Sequence, residues 1–181
     1  IKGMVVDTDG HGISGVVVNN GREFCLTDKS GAWQLLTDST VSKFVSISTP
    51  REYHLPSANG LAAGYYIPIA EAMANHTGNR FVLQKRDSVS NNFHYIVVSD
   101  PQIINAHDMK RWRNETVPSI MRTAGTLRKT GQVIGMTLGD VVFDNMNLYA
   151  EYKESLRSHR ITFFQCIGNH DFEKRYADLH N

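Results

Sequence analysis

The chain has 181 residues, of which 41% are hydrophobic and 20% are charged, and its formal net charge at pH 7 is +1. A chain of this length and composition can bury the core of one domain or of two small ones. Neither half is basic enough for a nucleic-acid-binding surface. No apolar run approaches the ~20 residues that span a bilayer, and no basic start leads into an apolar signal segment. We therefore predict neither a membrane span nor a signal peptide within this chain.

The first half of the chain alternates short β-rich runs with turn residues. The runs cover residues 3–7, 15–18, 23–26, 32–36, 44–48 and 81–83. Asn20-Gly21 is the strongest hairpin signal, because both residues tolerate the positive φ of a type I′ turn. Residues 51–74 fit neither period and are interpreted as a long loop with short strands or turns. Short strands at this spacing predict a small all-β sandwich over residues 1–86.

The pattern changes after the polar segment 87–92, which we interpret as a linker. Residues 93–98 form a nearly continuous apolar run, which predicts a parallel strand buried on both faces. Helical spacing follows over 106–129, where Pro118 predicts a kink or a new helix. A strand at 133–138, a helix at 148–158 and a strand at 161–167 complete the series. This alternation predicts an α/β sheet with crossover helices.

Polar clusters follow each of the three predicted strands directly. They are Ser-Asp-Pro-Gln at 99–102, Gly-Asp-Val-Val-Phe-Asp at 139–144 and Gly-Asn-His-Asp at 168–171. Each cluster alone has an ordinary explanation as a helix cap, a turn or a loop. Because ligands bind beyond the carboxyl ends of strands in an open α/β sheet, we expect the three clusters to converge on one crevice. Carboxylates, amide oxygens and an imidazole are the groups that bind hard or borderline divalent metals.

The three motifs resemble the signature of calcineurin-like metallophosphoesterases, in the variant whose first motif is Asp-x-Gln. Further upstream, residues 12–16 and 27–33 resemble the carboxypeptidase-regulatory-like sandwich that precedes the phosphatase domain in some bacterial members. The resemblance implies an α/β metallophosphoesterase fold, of which residues 93–181 are the first part, behind the small all-β sandwich. It also implies a periplasmic or secreted protein.

The resemblance also assigns metal ligands at these positions. Asp100 and Gln102 would bind the first metal, Asp140 would bridge both metals, and Asn169 would bind the second. The implied cofactors are two divalent metal ions, with manganese, iron and zinc all open. An amide oxygen at Gln102, where the family more commonly has histidine, favours manganese or iron over zinc at the first position. Other histidines, among them His11, are not predicted as ligands.

His170 is implied to contact the phosphoryl group or protonate the leaving oxygen, without binding metal. An imidazole in this role needs a partner that fixes its ring. Asp144 and Asp171 compete for that role, and Asp171 has an equally good interpretation as a helix N-cap. The sequence leaves this choice open.

The function implied is that of a metal-dependent phosphoester hydrolase that uses a metal-bridging hydroxide as nucleophile on a substrate the sequence does not specify. Family members supply further histidine ligands from a C-terminal half, so we expect this stretch by itself to be inactive. The alternative is a non-catalytic module whose sandwich contacts a glycan, a peptide or a surface partner. Replacement of Asp140 distinguishes the two, because only the enzyme depends on that carboxylate.

Overall fold

The structure of the chain is a computed structural model, and it describes residues 1–157 and 161–172. The chain divides into two compact units, and each has its own hydrophobic core. The first unit comprises Ile1–Pro56 and Ala63–Val89, and the second comprises Ser57–Ala62 with the chain from Ser90 onward. The fold is mixed α/β with several sheets.

Two sheets and a short helix make up the first unit. Its elements are β1 (Lys2–Asp7), β2 (Val17–Asn19), β3 (Phe24–Leu26), β4 (Ala32–Gln34), β5 (Phe44–Ile47), β8 (Tyr66–Pro68), α1 (Ile69–Ala74) and β9 (Asn79–Leu83). One sheet has the order β4-β1-β9, and the other has the order β3-β2-β5-β8. The short strand β8 agrees with the interpretation of residues 51–74 as a long loop with short strands or turns, whereas the helix α1 in the same segment was not predicted.

Alternating burial along these strands builds the first core. Val5 and Phe81 of one sheet and Val18 and Val45 of the other are at most 1% exposed. All four belong to one cluster, to which Trp33 also contributes. Each strand therefore directs every second side chain into a core that the two sheets share.

The hairpin at Asn20-Gly21 forms, but its turn is not of type I′. Residues 20–23 connect β2 with β3, and of the predicted turn pair Gly21 alone has a positive φ, of 87°. The Asn20 side chain is buried, accepts the N–H of Glu23 and donates to the carbonyl of Leu36. The type I′ prediction was wrong because Asn20 satisfies buried backbone groups instead of adopting a left-handed conformation.

The second unit contains a five-stranded sheet with helices between its strands. Its elements are β6 (Ser57–Ala58), β7 (Leu61–Ala62), β10 (Phe93–Val98), α2 (Ala106–Arg111), α3 (Val117–Leu127), β11 (Gln132–Thr137), α4 (Tyr149–Leu156) and β12 (Thr162–Gln165). The sheet order is β10-β11-β12-β7-β6, in which β10, β11, β12 and β7 run parallel to one another and β6 is antiparallel to β7. A 3₁₀ turn, Met146–Leu148, precedes α4. Residue 158, where the predicted second helix ends, lies outside the described residues.

Residues 57–62 belong to the second unit, although the sequence boundaries placed them in the first domain. Leu61 pairs with Phe163 of β12, and the N–H of Phe163 donates to the carbonyl of Gly60 at 2.8 Å. A β-carbon at Gly60 would lie 2.5 Å from the carbonyl oxygen of Leu156, so only glycine fits there without displacement. Strand pairing over about a hundred residues of chain decides this assignment, and local sequence cannot reveal it.

Pro118 is accommodated by a π-helical turn. Trp112–Thr116 is π-helical and joins α2 to α3 without a break, with Pro118 in the first turn of α3. Proline lacks an N–H, and its ring crowds the carbonyl of the preceding turn, so a regular α-helix would be strained here. The wider π turn relieves that crowding and also directs Trp112, which is 4% exposed, into the core.

β10 is buried on one face only, so the prediction of two-sided burial was wrong. Phe93, Tyr95 and Val97 are 59, 56 and 52% exposed, whereas Ile96 and Val98 pack against the core. The crossover helices α3 and α4 contribute to that same core cluster and therefore cover the same face of the sheet.

Among the described residues, no helix is long and apolar enough to cross a membrane.

Candidate functional site

Three loops meet at the carboxyl ends of β10, β11 and β12. We call them the first loop (residues 99–102), the second loop (139–144) and the third loop (168–171). The N–H of Gln102 donates to the carbonyl of Asp140 at 2.9 Å, which joins the first loop to the second. The N–H of Asp144 donates to the carbonyl of His170 at 3.3 Å, which joins the second loop to the third. The structure thus brings together the three motifs that sequence analysis expected to converge.

The backbone is left-handed at four of the predicted site residues. Asp100, Gln102 and Asp140 each have a φ of 46°, and Asp144 has a φ of 55°. Among the described residues, Asn59 is the one other non-glycine residue with a positive φ. A left-handed conformation costs an L-residue about 1–2 kcal/mol of free energy, and less for aspartate. Residues held in such conformations are found preferentially at functional sites. The surrounding hydrogen bonds hold these residues in conformations that they would not adopt alone.

Two glycines allow the second and third loops to touch. A β-carbon on Gly168 would lie 2.1 Å from Oδ1 of Asp140 and 2.3 Å from its backbone nitrogen. A β-carbon on Gly139 would lie 2.7 Å from the backbone nitrogen of Gly168. Both motifs begin with glycine because the two backbones pass too closely for any side chain. The contact places the half-buried Asp140 against the third loop, where its Oδ1 accepts the N–H of His170 at 3.0 Å.

His170 is held on an edge and on a face of its ring. Its Nδ1 lies 3.0 Å from Oδ1 of Asp144, and the Phe143 ring stacks on it with centroids 3.9 Å apart and planes 19° apart. The His170 side chain is 18% exposed and that of Asp144 is 37% exposed. Of the two carboxylates left open by the sequence, Asp144 is the one in contact with this imidazole nitrogen. A donor Nδ1–H to Asp144 leaves Nε2 on the opposite edge of the ring.

The Asp171 side chain accepts hydrogen bonds from the backbone of both the second and the third loop. Its Oδ1 accepts the N–H groups of Val141 at 2.8 Å and Val142 at 3.2 Å, and its Oδ2 accepts that of Gly168 at 2.9 Å. The residue is 8% exposed. Burial raises the pKa of the Tyr149 hydroxyl, and its hydrogen bond to Asp171 raises it further. Residues 173–181, which follow Asp171, lie outside the described residues, so the N-cap interpretation stays a prediction.

The remaining predicted metal ligands lie on the same loops and are exposed. Asp100 accepts a hydrogen bond from the Ser99 hydroxyl, and Gln102 and Asn169 follow on the first and third loops. Two carboxylates and two amide side chains at one sheet edge form a donor set that suits hard divalent cations. The residues present therefore fit a metal in chemical type, and their assignment as ligands stays a prediction.

A different acidic group lies in the first unit, at the end of β1. Ligand atoms of Asp7, Asp9 and His11 all lie within 4.8 Å of one another. Sequence analysis did not predict this group, although the Asp-x-Asp-x-His spacing could have suggested it. Burial acts to raise the pKa of Asp7, but hydrogen bonds from the backbone of His11 and Asp9 outweigh it and leave that pKa lowered. These bonds form a turn that closes the strand, which accounts for the cluster without a metal.

Sequence analysis also missed Phe143 and Tyr149 as parts of the site. Phe143 contacts His170, and Tyr149 contacts Asp171, each across more than twenty residues of chain. Phe143 lies between two residues that were noted, but nothing local distinguishes an aromatic ring that stacks on a histidine from one that packs in the core.

Comparison with known proteins gives one match. Residues 1–86 match the family model described as the N terminal of calcineurin-like phosphoesterase. The match covers 86 of 181 residues, just under half of the chain, and does not include the three loops. No curated protein and no solved structure matches the chain. In its first 86 residues this chain is similar to the N-terminal part of calcineurin-like phosphoesterases, and the phosphoesterases are the family that the comparison supports.

Proposed function

We propose that this chain is the front part of a metal-dependent phosphoester hydrolase of the Asp-x-Gln variant. A small sandwich domain within residues 1–86, from which residues 57–62 are excluded, and a linker (87–92) would precede the first part of an α/β metallophosphoesterase domain (93–181). The observation that carries the proposal is the His170–Asp144 pair, fixed beside Asp140 where three strand ends meet. The match of residues 1–86 to the N-terminal part of this family supports it independently of the loops.

Four side chains in the loops would hold two divalent metals, which we expect to be manganese, iron or zinc. Asp100 and Gln102 would hold the first, Asp140 both, and Asn169 the second. When bound, the two metals supply Lewis-acid stabilisation of the phosphoryl oxygens and a nucleophilic water at neutral pH. The left-handed backbone at Asp100, Gln102 and Asp140 supports this assignment, because such conformations are retained where side chains must point in one direction.

In its doubly protonated form, His170 would donate the Nε2 proton to the leaving oxygen or hydrogen-bond the phosphoryl group through Nε2–H. Asp144 would accept the Nδ1 proton and so keep the ring in the orientation in which Nε2 is directed away from the carboxylate. Asp171 would act on the backbone, through the three N–H groups that it accepts. Asp144 would therefore orient the imidazole ring, and Asp171 would hold the backbone of the second and third loops.

The test uses the full-length protein, purified without chelator, with metal content measured by mass spectrometry. Hydrolysis of bis-p-nitrophenyl phosphate and of p-nitrophenyl phosphate then separates diesterase from monoesterase activity. We expect about two metals per chain and metal-dependent turnover, and loss of turnover in a folded Asp140→Asn variant. Glu154→Gln, which makes the same charge change at an exposed position of α4, serves as the matched control. Absence of both metal and turnover in the wild-type protein rejects the proposal.

A second candidate is a binding role for the first unit, toward a glycan, a peptide or a surface partner. The sheet β3-β2-β5-β8 exposes Phe24, Leu26, Phe44 and Tyr66 at 67, 65, 51 and 43%, respectively. The Phe44 and Tyr66 rings pack edge to face with centroids 5.2 Å apart. A binding module would keep its partner after Asp140→Asn and lose it after Phe44→Ala, whereas the enzyme would lose turnover after the first change.

A further inference from the structure

Phe143 of the second loop contacts both the third loop and the residue that follows the first loop. Its backbone N–H donates to the carbonyl of Ile103, just after the first loop, at 3.1 Å. Its side chain stacks on His170 of the third loop, and its own position is in the second. The residue that follows it is Asp144, the hydrogen-bond partner of that same histidine. Phe143 and Asp144 thus hold two different sides of one imidazole from consecutive positions.

Core packing does not explain an aromatic residue at this position. Val141 and Val142 are 1 and 0% exposed and supply the buried apolar side chains of the second loop, whereas Phe143 is 36% exposed. An aromatic ring that served only the core would be expected to bury its face against aliphatic groups. The ring contact recorded for Phe143 is instead the stack on His170.

The stack fixes a degree of freedom that the hydrogen bond leaves open. A single Nδ1 to Oδ1 contact sets where one edge of the imidazole lies, but the ring can still tilt about that contact. A second ring parallel to within 19° at 3.9 Å prevents this tilt on one face. Together the two contacts determine the direction in which Nε2 points.

We propose that Phe143 is a positioning residue for His170 in phosphoester hydrolysis, holding the imidazole plane so that Nε2 faces the reacting phosphoryl group. The inference rests on the proposed function. Its action is through the histidine, and Phe143 itself makes no contact with the reacting atoms.

Kinetics of position-143 variants of the full-length protein test the proposal. We expect Phe143→Leu, which keeps an apolar side chain but removes the ring face, to lower kcat about 10-fold with KM and metal content unchanged. Phe143→Tyr keeps the face and should restore kcat to within about 2-fold of wild type. Phe93→Leu, a change of an exposed ring at the start of β10, is the control and should leave kcat unchanged. Wild-type kcat in Phe143→Leu, beside an inactive Asp140→Asn, overturns the inference and leaves the proposed function standing.

Nuclear magnetic resonance of the metal-free protein gives a readout that needs no turnover, and its deciding signal belongs to the wild-type protein. Stacking under Phe143 should shift the ring protons of His170 upfield of those of the other histidines in the wild-type protein, with assignment by His170→Gln. In Phe143→Leu the same signals should move downfield. Signals of His170 at unshifted positions in the wild type overturn the inference, even if the protein hydrolyses phosphoesters. An upfield shift in a wild-type protein without turnover shows that the stack exists but rejects hydrolysis, and with it the assigned role.

Discussion

Single residues at the strand ends set how closely the second and third loops approach each other. Gly168 has no room for a β-carbon, since Asp140 occupies that space with its carboxylate and its backbone nitrogen. Asp171 binds three backbone amides of the same two loops. The position of Asp140 therefore depends on the missing side chain of Gly168 as much as on the hydrogen bonds that Asp171 accepts.

Gly168→Ala should destabilise the second unit by about 1–3 kcal/mol, because either Asp140 or the third loop must move to admit the methyl group. The free energy of unfolding is measured by urea denaturation, followed through the fluorescence of Trp112 in a Trp33→Phe background. Gly125→Ala is the matched control, because no atom lies within 4 Å of the added carbon and the site is inside α3. This control should gain about 0.5–1 kcal/mol. Equal effects of the two changes would contradict the crowding at Gly168.

A pH-dependent contribution is expected at Asp28 in the turn before β4. Hydrogen bonds from the Ser30 hydroxyl, then from the backbone of Ala32 and Ser30, hold the pKa of Asp28 below its usual range. A lowered folded-state pKa gives stability that is present above the unfolded pKa and lost as pH falls through the folded one. Asp28→Asn should therefore destabilise the first unit at neutral pH, and the difference from wild type should shrink below about pH 4. Denaturation followed by Trp33 fluorescence checks this, and a difference that does not vary with pH contradicts it.

Among the elements, the π-helical turn sets the position of a core tryptophan. It places Trp112 against Tyr152 of α4, with ring centroids 5.3 Å apart, and lets its Nε1–H donate to the Ser155 hydroxyl at 2.8 Å. Sequence analysis predicted an interruption at Pro118 but could not say which kind. The choice depends on α4, which is distant in sequence and accepts the hydrogen bond.

Ser155→Ala should cost about 1–3 kcal/mol of the second unit's stability, because the buried indole N–H loses its acceptor. Ser119→Ala, at an exposed position of α3, should change stability by less than about 0.5 kcal/mol. Combining Ser155→Ala with Trp112→Phe should cost less than the sum of the two single changes, since both remove the same bond. Additive costs would show that this hydrogen bond is not the source of the effect. Thermal unfolding followed by circular dichroism is suitable, because one variant lacks the tryptophan.

At the scale of the whole molecule, the two units are not two consecutive pieces of chain. The segment of β6 and β7 interrupts the first unit in sequence and completes the sheet of the second. Trp33 lies in the first unit and Trp112 in the second, and the chain has two tryptophans in all. Each unit therefore carries its own fluorescent probe once the other tryptophan is replaced.

Leu61→Asp should lower the stability of the second unit by about 1–3 kcal/mol, because Leu61 packs against that unit's core. The Trp112 signal should unfold at lower urea concentration, while the Trp33 signal keeps its midpoint. Leu36→Asp, at a side chain that is 88% exposed in the first unit, is the control and should shift neither midpoint. A shift of the Trp33 signal alone after Leu61→Asp would contradict the assignment of this segment.

The sequence by itself determined the alternation of strands and helices after residue 92, the three polar motifs that follow those strands and the residue types expected of a metal site, because these depend on local periodicity and on chemistry within a few residues. Tertiary structure decided which carboxylate contacts His170, that Phe143 stacks on it, that β10 is covered on one face, and that residues 57–62 join the second sheet. Each of these depends on the distance between groups some twenty to a hundred residues apart. Local propensity contains no information about such distances, and packing and strand pairing set them.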